Sequence, residues 1–263
     1  MDALAYWYLF PLAIVIALLA MSAGVSGSNF WIPVYLLMLN IDVKVGFWLA
    51  LLTMLFGFGS GVIKNLMGRT VNWFLVSRYL IPAVPASMIG ALLVPFAPVQ
   101  LLLLLFAILV LVYGSFLILI YLRDGEMEVR EHDRIYWSRA VLAGFLKGLI
   151  ATGLGKLILP GIVNHKRINS PAEAVGTVVM VIFIVNLAAV VFRLTPGFIS
   201  DLSFYSDQII SIMIWVAPGV IIGGQIGPMV ATRFSFRGMK AYVGIILLIV
   251  GLLILLRALS LVL

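Results

Sequence analysis

Two lysines, Lys147 and Lys156, stand in an otherwise apolar segment at 140–163, and Gly153 and Gly155 lie within three residues of the second in the stretch TGLGKLILP. An ammonium group inside a bilayer costs about 2.5–3.5 kcal/mol on insertion scales, so it ordinarily faces protein or water and marks a pathway. The apolar segments hold no carboxylate to neutralise these lysines except Glu173, which sits close to a segment end. A visiting small anion solves that problem. Glycines fit the same picture: they let backbone approach a ligand and expose N–H groups and helix N-termini, both of which favour negative charge.

For Lys156 we read partnership with an anion, against snorkelling to the interface. For Lys147, nearer a polar linker, we read the reverse, with hydrogen bonds to carbonyls freed at a helix break as a further structural role. Thr152 in this segment, and Ser26, Gly27, Ser28 and Asn29 in an earlier glycine-rich stretch, supply neutral donors to an oxyanion or else satisfy broken backbone. Asn186 and Gln225 are the isolated amides of their apolar runs. They suit an anion at no charge cost, although bonding between helices is the commoner role of such amides.

The elements that position these residues follow from composition. The 263 residues are 64% hydrophobic and 10% charged, with a mean hydropathy of +1.22, which is outside the range of soluble domains. Runs of roughly 20 apolar residues recur along the chain, enough for helices to cross a bilayer core, and too long for barrel strands. The absence of cysteine excludes disulfides and thiolate sites. A net charge of +7 lies in short loops between apolar runs, as in membrane proteins, and implies no nucleic acid. Asp2, with no Lys or Arg before the first run, gives no basic start of a cleavable signal peptide. His132 and His165 have no metal-ligand spacing. Lys156 follows no phosphate-loop pattern, and zinc-protease and serine-elbow motifs are absent. We therefore expect no enzyme, no cofactor and no metal.

Apolar runs are expected at 6–39, broken near 22–29, then at 45–63, 74–94 and 101–122. After a polar linker at 123–138 (RDGEMEVREHDR at its core), the plan repeats with a broken segment at 140–163 and runs at 174–192, 209–231 and 241–262. The halves 1–122 and 139–263 align: Gly90 with Gly227 and Gly114 with Gly251, both pairs 24 residues apart, and Asn29 with Lys156. Loop charge orients them. If each broken segment enters and returns on one side, Lys64, Arg69, Arg78, Arg123, Arg130, Arg134, Arg139, Lys166, Arg167, Arg233, Arg237 and Lys240 share a face, and only Lys44, Arg193 and Arg257 occupy the other. Twelve against three is a positive-inside signal that makes the linker cytoplasmic in the inner membrane. Three crossings per half make the repeats inverted, as in many secondary transporters. The fold expected is thus all-α and polytopic: two inverted repeats, each a broken glycine-rich hairpin followed by three transmembrane helices. The second hairpin is short enough to be re-entrant, whereas the first has room for a full hairpin. Gly57-x3-Gly61, Gly144-x3-Gly148 and Gly223-x3-Gly227 read as helix-packing spacings.

The chain resembles the sulfite exporter TauE/SafE family, also called the toluene sulfonate uptake permease family, over nearly its whole length. The motifs are two glycine-rich stretches ending in Pro33 and Pro160, AEAVGTVVM at 172–180, SGVIKNLMGRTVNW at 60–73 and GGQIGPMVATRFS at 223–235. It departs from the family in Ser26, Ser28 and Asn29, in Leu154 and Lys156, and in Asn72, where the family usually has an acid. The resemblance implies transport of small sulfur anions such as sulfite or organosulfonates. A secondary transporter, an exporter, that binds its anion between the two breaks is the expectation; an anion channel and a non-transporting membrane scaffold are the alternatives. Oligomeric state is left open.

Overall fold

The computed structural model describes residues 3–23, 25–122, 134–231 and 236–260; of these, the side chains at 3, 21–23, 120, 154, 156, 227–231 and 236–240 lie outside the description. Eleven α-helices appear among the described residues, without strands. They are α1 Leu9–Ala23, α2 Ser28–Pro33, α3 Val43–Met67, α4 Trp73–Leu93 and α5 Val99–Leu122, then α6 Trp137–Ile150, α7 Leu154–Val163, α8 Pro171–Phe192, α9 Pro196–Phe204, α10 Ser206–Ala231 and α11 Phe236–Ser260. A π-helical turn, Val34–Met38, prolongs α2. Starts are written in capping residues: the side chains of Asp42, Asn72, Ser170 and Thr195 accept first-turn amides of α3, α4, α8 and α9, and Pro171 and Pro196 follow two of them at the first helical position.

Six helices, α3, α4, α5, α8, α10 and α11, are long and apolar enough to cross a membrane. The protein is a polytopic α-helical membrane protein. α1 and α6, at 15 and 14 residues, fall short of the roughly 20 needed. In the first segment the length that left room for a full hairpin is taken up by a 3-10 turn at Ala3–Tyr6 and by the π-helical turn. α9 was not expected; it occupies what reads as a loop between α8 and α10. The linker at 123–138 lies largely outside the described residues.

Helix pairing follows close approaches. α4 and α6 run parallel, Gly144 lying on Ala83 and Gly148 on the backbone of Ser87. α1 and α10 also run parallel, with Gly219 on Ala13 and Gly223 on Ala17. α5 and α11 run antiparallel, since Leu111 meets Gly251 while Ile118 meets Gly244. α3 and α8 are antiparallel too: Trp48 Nε1 donates to Val190 O at 3.2 Å and Asn186 Nδ2 to Leu51 O at 2.7 Å, and beyond the end of α3 the Asn72 amide donates to Thr177 Oγ1 near the start of α8 at 2.9 Å. Gly144-x3-Gly148 is thus a packing site, as its spacing suggests. Gly57 and Gly61 are not, because a side-chain carbon at either would meet only ordinary contacts.

Candidate functional site

Both helical breaks fall where glycine and short polar residues interrupt the apolar runs. α1 stops at Ala23 and α2 restarts at Ser28, with Gly27 at its N-cap and no side chain capping it. α6 stops at Ile150, Ala151 turns left-handed at φ 60°, Gly153 follows at φ 101°, and α7 restarts without a side-chain cap. At φ 101° only glycine is free of strain, which explains the residue type at 153. Two helix N-termini without side-chain caps, with their positive dipole ends, therefore begin at the breaks, and in α2 the amides of Asn29 and Phe30 already donate to Ser26 O and Gly27 O.

The breaks meet. Thr152 Oγ1 donates a short hydrogen bond to Asn29 Oδ1 across 123 residues of sequence, and both side chains are fully buried. Asn29 Nδ2 is buried and has no partner in the protein, so a hydrogen-bond donor is left over at the meeting point. Beside it Ser28, also buried, shares a 2.8 Å hydrogen bond with half-buried Ser26. Gly153 is buried, and Gly155 faces Ile182 of α8. The side chain of Lys156, which is expected to carry the charge, lies outside the described residues; its backbone belongs to the first turn of α7.

Lys147 takes its expected structural role. Its Nζ donates at 3.1 Å to the carbonyl of Ala151, one of the acceptors that the end of α6 leaves without a helical partner. Asn186 bonds between helices through Nδ2, while its Oδ1 is buried without a partner. Gln225 is half-buried on α10, next to Gly224, which lines a narrow apolar cavity of about 40 Å³. That cavity touches the first break at Val25 and Gly27 and is walled by Trp31, Met54, Phe58 and Val220, with Thr53 and Gly57. Its lining includes neither Thr152 nor Asn29.

Asn72 has a structural place at the end of the molecule where the α3–α4 and α7–α8 loops meet. Its Oδ1 caps Leu75, and its Nδ2 donates to Glu173 Oε1 at 2.9 Å and to Arg167 O at 3.0 Å. An amide donates where a carboxylate would repel Glu173, which accounts for the residue found here. Arg167 also stacks on Phe74 at 3.9 Å.

A profile of the sulfite exporter TauE/SafE family matches residues 9–254, almost the entire described chain and both breaks. The chain belongs to the sulfite exporter TauE/SafE family. It is therefore a multi-pass membrane protein of a sulfite- and sulfonate-exporter type of transporter. Among curated proteins and among solved structures, none matches it.

Sequence reasoning missed one residue that the TauE/SafE chain buries. Arg193, at the end of α8, is 2% exposed and holds Gly148 O through Nε and Nη2 at 3.0 and 2.7 Å, and Leu149 O at 2.9 Å. It reads in the sequence as a loop charge. The available signal was Thr195-Pro196, a cap followed by proline at the first helical position, which marks a new helix right after Arg193 and so a folded surround.

Proposed function

We propose that this chain exports a small sulfur oxyanion, sulfite or an organosulfonate, as a secondary transporter that binds the anion where the two breaks meet. The observation that carries the reading is the buried contact of Asn29 with Thr152, which leaves Asn29 Nδ2 as a desolvated donor without an acceptor beside uncapped helix starts. A buried donor left unpaired costs about 1–3 kcal/mol, and an oxyanion removes that cost. Gly27, Ser28, Ser26, Thr152, Gly153 and Gly155 surround the same point, and Lys156 in the first turn of α7 supplies the counter-charge. Asn186 lies on α8, which packs on α7, and Gln225 on α10, which packs on α1. The apolar cavity beside Gly27 suits the carbon body of a sulfonate.

Alternating access by inverted repeats is supported by the helix pairing. Exchanging the halves turns α1 with α10 into α6 with α4, both parallel pairs, and turns α3 with α8 and α5 with α11 into themselves, both antiparallel. Equivalent helices that run antiparallel imply opposite insertion of the halves, as rocking-repeat transporters require. Lys44, Arg193 and Arg257 gather at one end: Lys44 and Arg193 line one cavity, and Arg257 reaches Leu36 O and Asn40. We assign that end to the outside of the cytoplasmic membrane by the positive-inside rule and the linker at 123–138 to the cytoplasm.

The test is sulfite efflux from proteoliposomes, together with thermal stability against sulfite, sulfate, thiosulfate and taurine, for wild type, Asn29→Leu and Lys156→Ala. A sulfur anion at about 100 times its Kd adds roughly 2.7 kcal/mol to wild type, and both variants lose the shift and the flux. Unsaturable current indicates a channel. A flat anion panel with unchanged variants removes the transport reading in favour of a scaffold.

A further inference from the structure

A second cavity, of about 260 Å³, opens at the end of the molecule where Lys44 lies, lined by Lys44, Val94, Pro95, Arg193, Thr195, Gly197, Phe198 and Asp201. Three observations bear on what it holds. Arg193 forms part of its wall while nearly wholly buried, and its Nη1 has no partner in the protein. Its Nε and Nη2 are already engaged by the carbonyls of Gly148 and Leu149, so the free nitrogen stands on the other edge of the planar guanidinium. Lys44, half-buried, is fixed by Pro95 O at 2.8 Å and retains further donors of its ammonium group. The start of α9 completes the wall: Pro196 takes the first helical position, Thr195 caps Phe198, and Gly197 is exposed at the first available amide. A helix N-terminus beside two cations favours an anion. Asp201 is the single carboxylate in the lining.

We propose that this cavity is an oxyanion site separate from the breaks, with Arg193 Nη1, Lys44 Nζ and the Gly197 amide as its donors. The ligand class is a tetrahedral or pyramidal oxyanion, met either as a free sulfur anion or as the phosphate of an anionic lipid headgroup. Arg193 ties the site to the transport route. The same side chain that lines the cavity holds carbonyls in the last turn of α6, just ahead of the break at Ala151–Gly153. An anion released from the break toward this end thus reaches a waiting cation before bulk water. The proposal shares the anion-transport reading but depends on other residues.

Calorimetric titration of sodium sulfite into the full chain tests it, in nanodiscs of phosphatidylcholine with and without phosphatidylglycerol. Wild type in phosphatidylcholine shows two classes of site. Lys44→Glu removes one, weakening it about tenfold or more by turning attraction into repulsion, and Asp201→Asn tightens the same class. Asn29→Leu removes the other class and leaves this one intact; if it changes nothing while Lys44→Glu still acts, the reading of the breaks fails and this site stands. Arg193→Lys, which keeps charge but loses the second edge of the fork, weakens the Lys44-dependent class if the variant folds. Loss of that class of sulfite binding when phosphatidylglycerol is present assigns the site to a lipid headgroup, and its persistence assigns it to free anion. A single isotherm unaffected by Lys44→Glu and Asp201→Asn, with no effect of phosphatidylglycerol, overturns the proposal.

Discussion

The contact between the two breaks predicts a specific pattern of coupling. Thr152→Val keeps the shape of the side chain and removes its hydroxyl, leaving Asn29 with both amide atoms buried and unpaired, since Nδ2 has no partner already. Stranding a buried polar atom costs about 1–3 kcal/mol. At roughly 2–4 °C per kcal/mol for chains of 150–250 residues, the melting temperature in detergent falls by about 2–12 °C. Asn29→Leu alone strands only the Thr152 hydroxyl, which can turn to a backbone carbonyl, and removes the unpaired donor, so it costs less. Replacing both partners leaves nothing stranded, and the double variant is more stable than the sum of the single effects by about 1–2 kcal/mol. The assay is a double-mutant cycle by thermal unfolding, with each variant held at one detergent concentration. Additive effects within about 0.3–0.5 kcal/mol, the spread found for independent sites, would refute a direct bond between the breaks.

Other consequences follow from single contacts. Gly148→Ala places a carbon against the backbone of Ser87 and forces α4 and α6 apart, which costs about 1–3 kcal/mol or more; Gly57→Ala, whose added carbon meets only Val220 at an ordinary contact distance, leaves the melting temperature within about 2 °C. Asn72→Asp sets a second carboxylate against Glu173 and loses a donor to it, destabilising the fold by about 1–3 kcal/mol, and a second change, Glu173→Gln, restores much of the loss in the same melting assay. Ala151→Gly relieves a left-handed alanine at the end of α6 and raises stability by roughly 0.5–1 kcal/mol; a drop would show that the turn is held by something other than backbone preference.

Hydrophobicity and capping residues are properties of short windows, and they determined much of this protein. Six crossing helices, breaks at 22–29 and near 153, and starts at Asp42, Asn72 and Ser170 are legible because each depends on a few neighbouring residues and on the thickness of a bilayer. The structural role of Lys147 was legible for the same reason: the carbonyl it reaches lies four residues away. Which residues meet across the molecule was not. In sequence Asn29 aligns with Lys156, yet in the fold its partner is Thr152, and Arg193 reads as one more loop charge although it is buried against the end of α6. Helices that are apolar nearly all round carry little information on which face turns inward. Close packing at Gly144, Gly148 and Gly223 chooses that face, and with it the meeting of the breaks and the cationic cavity beside α9.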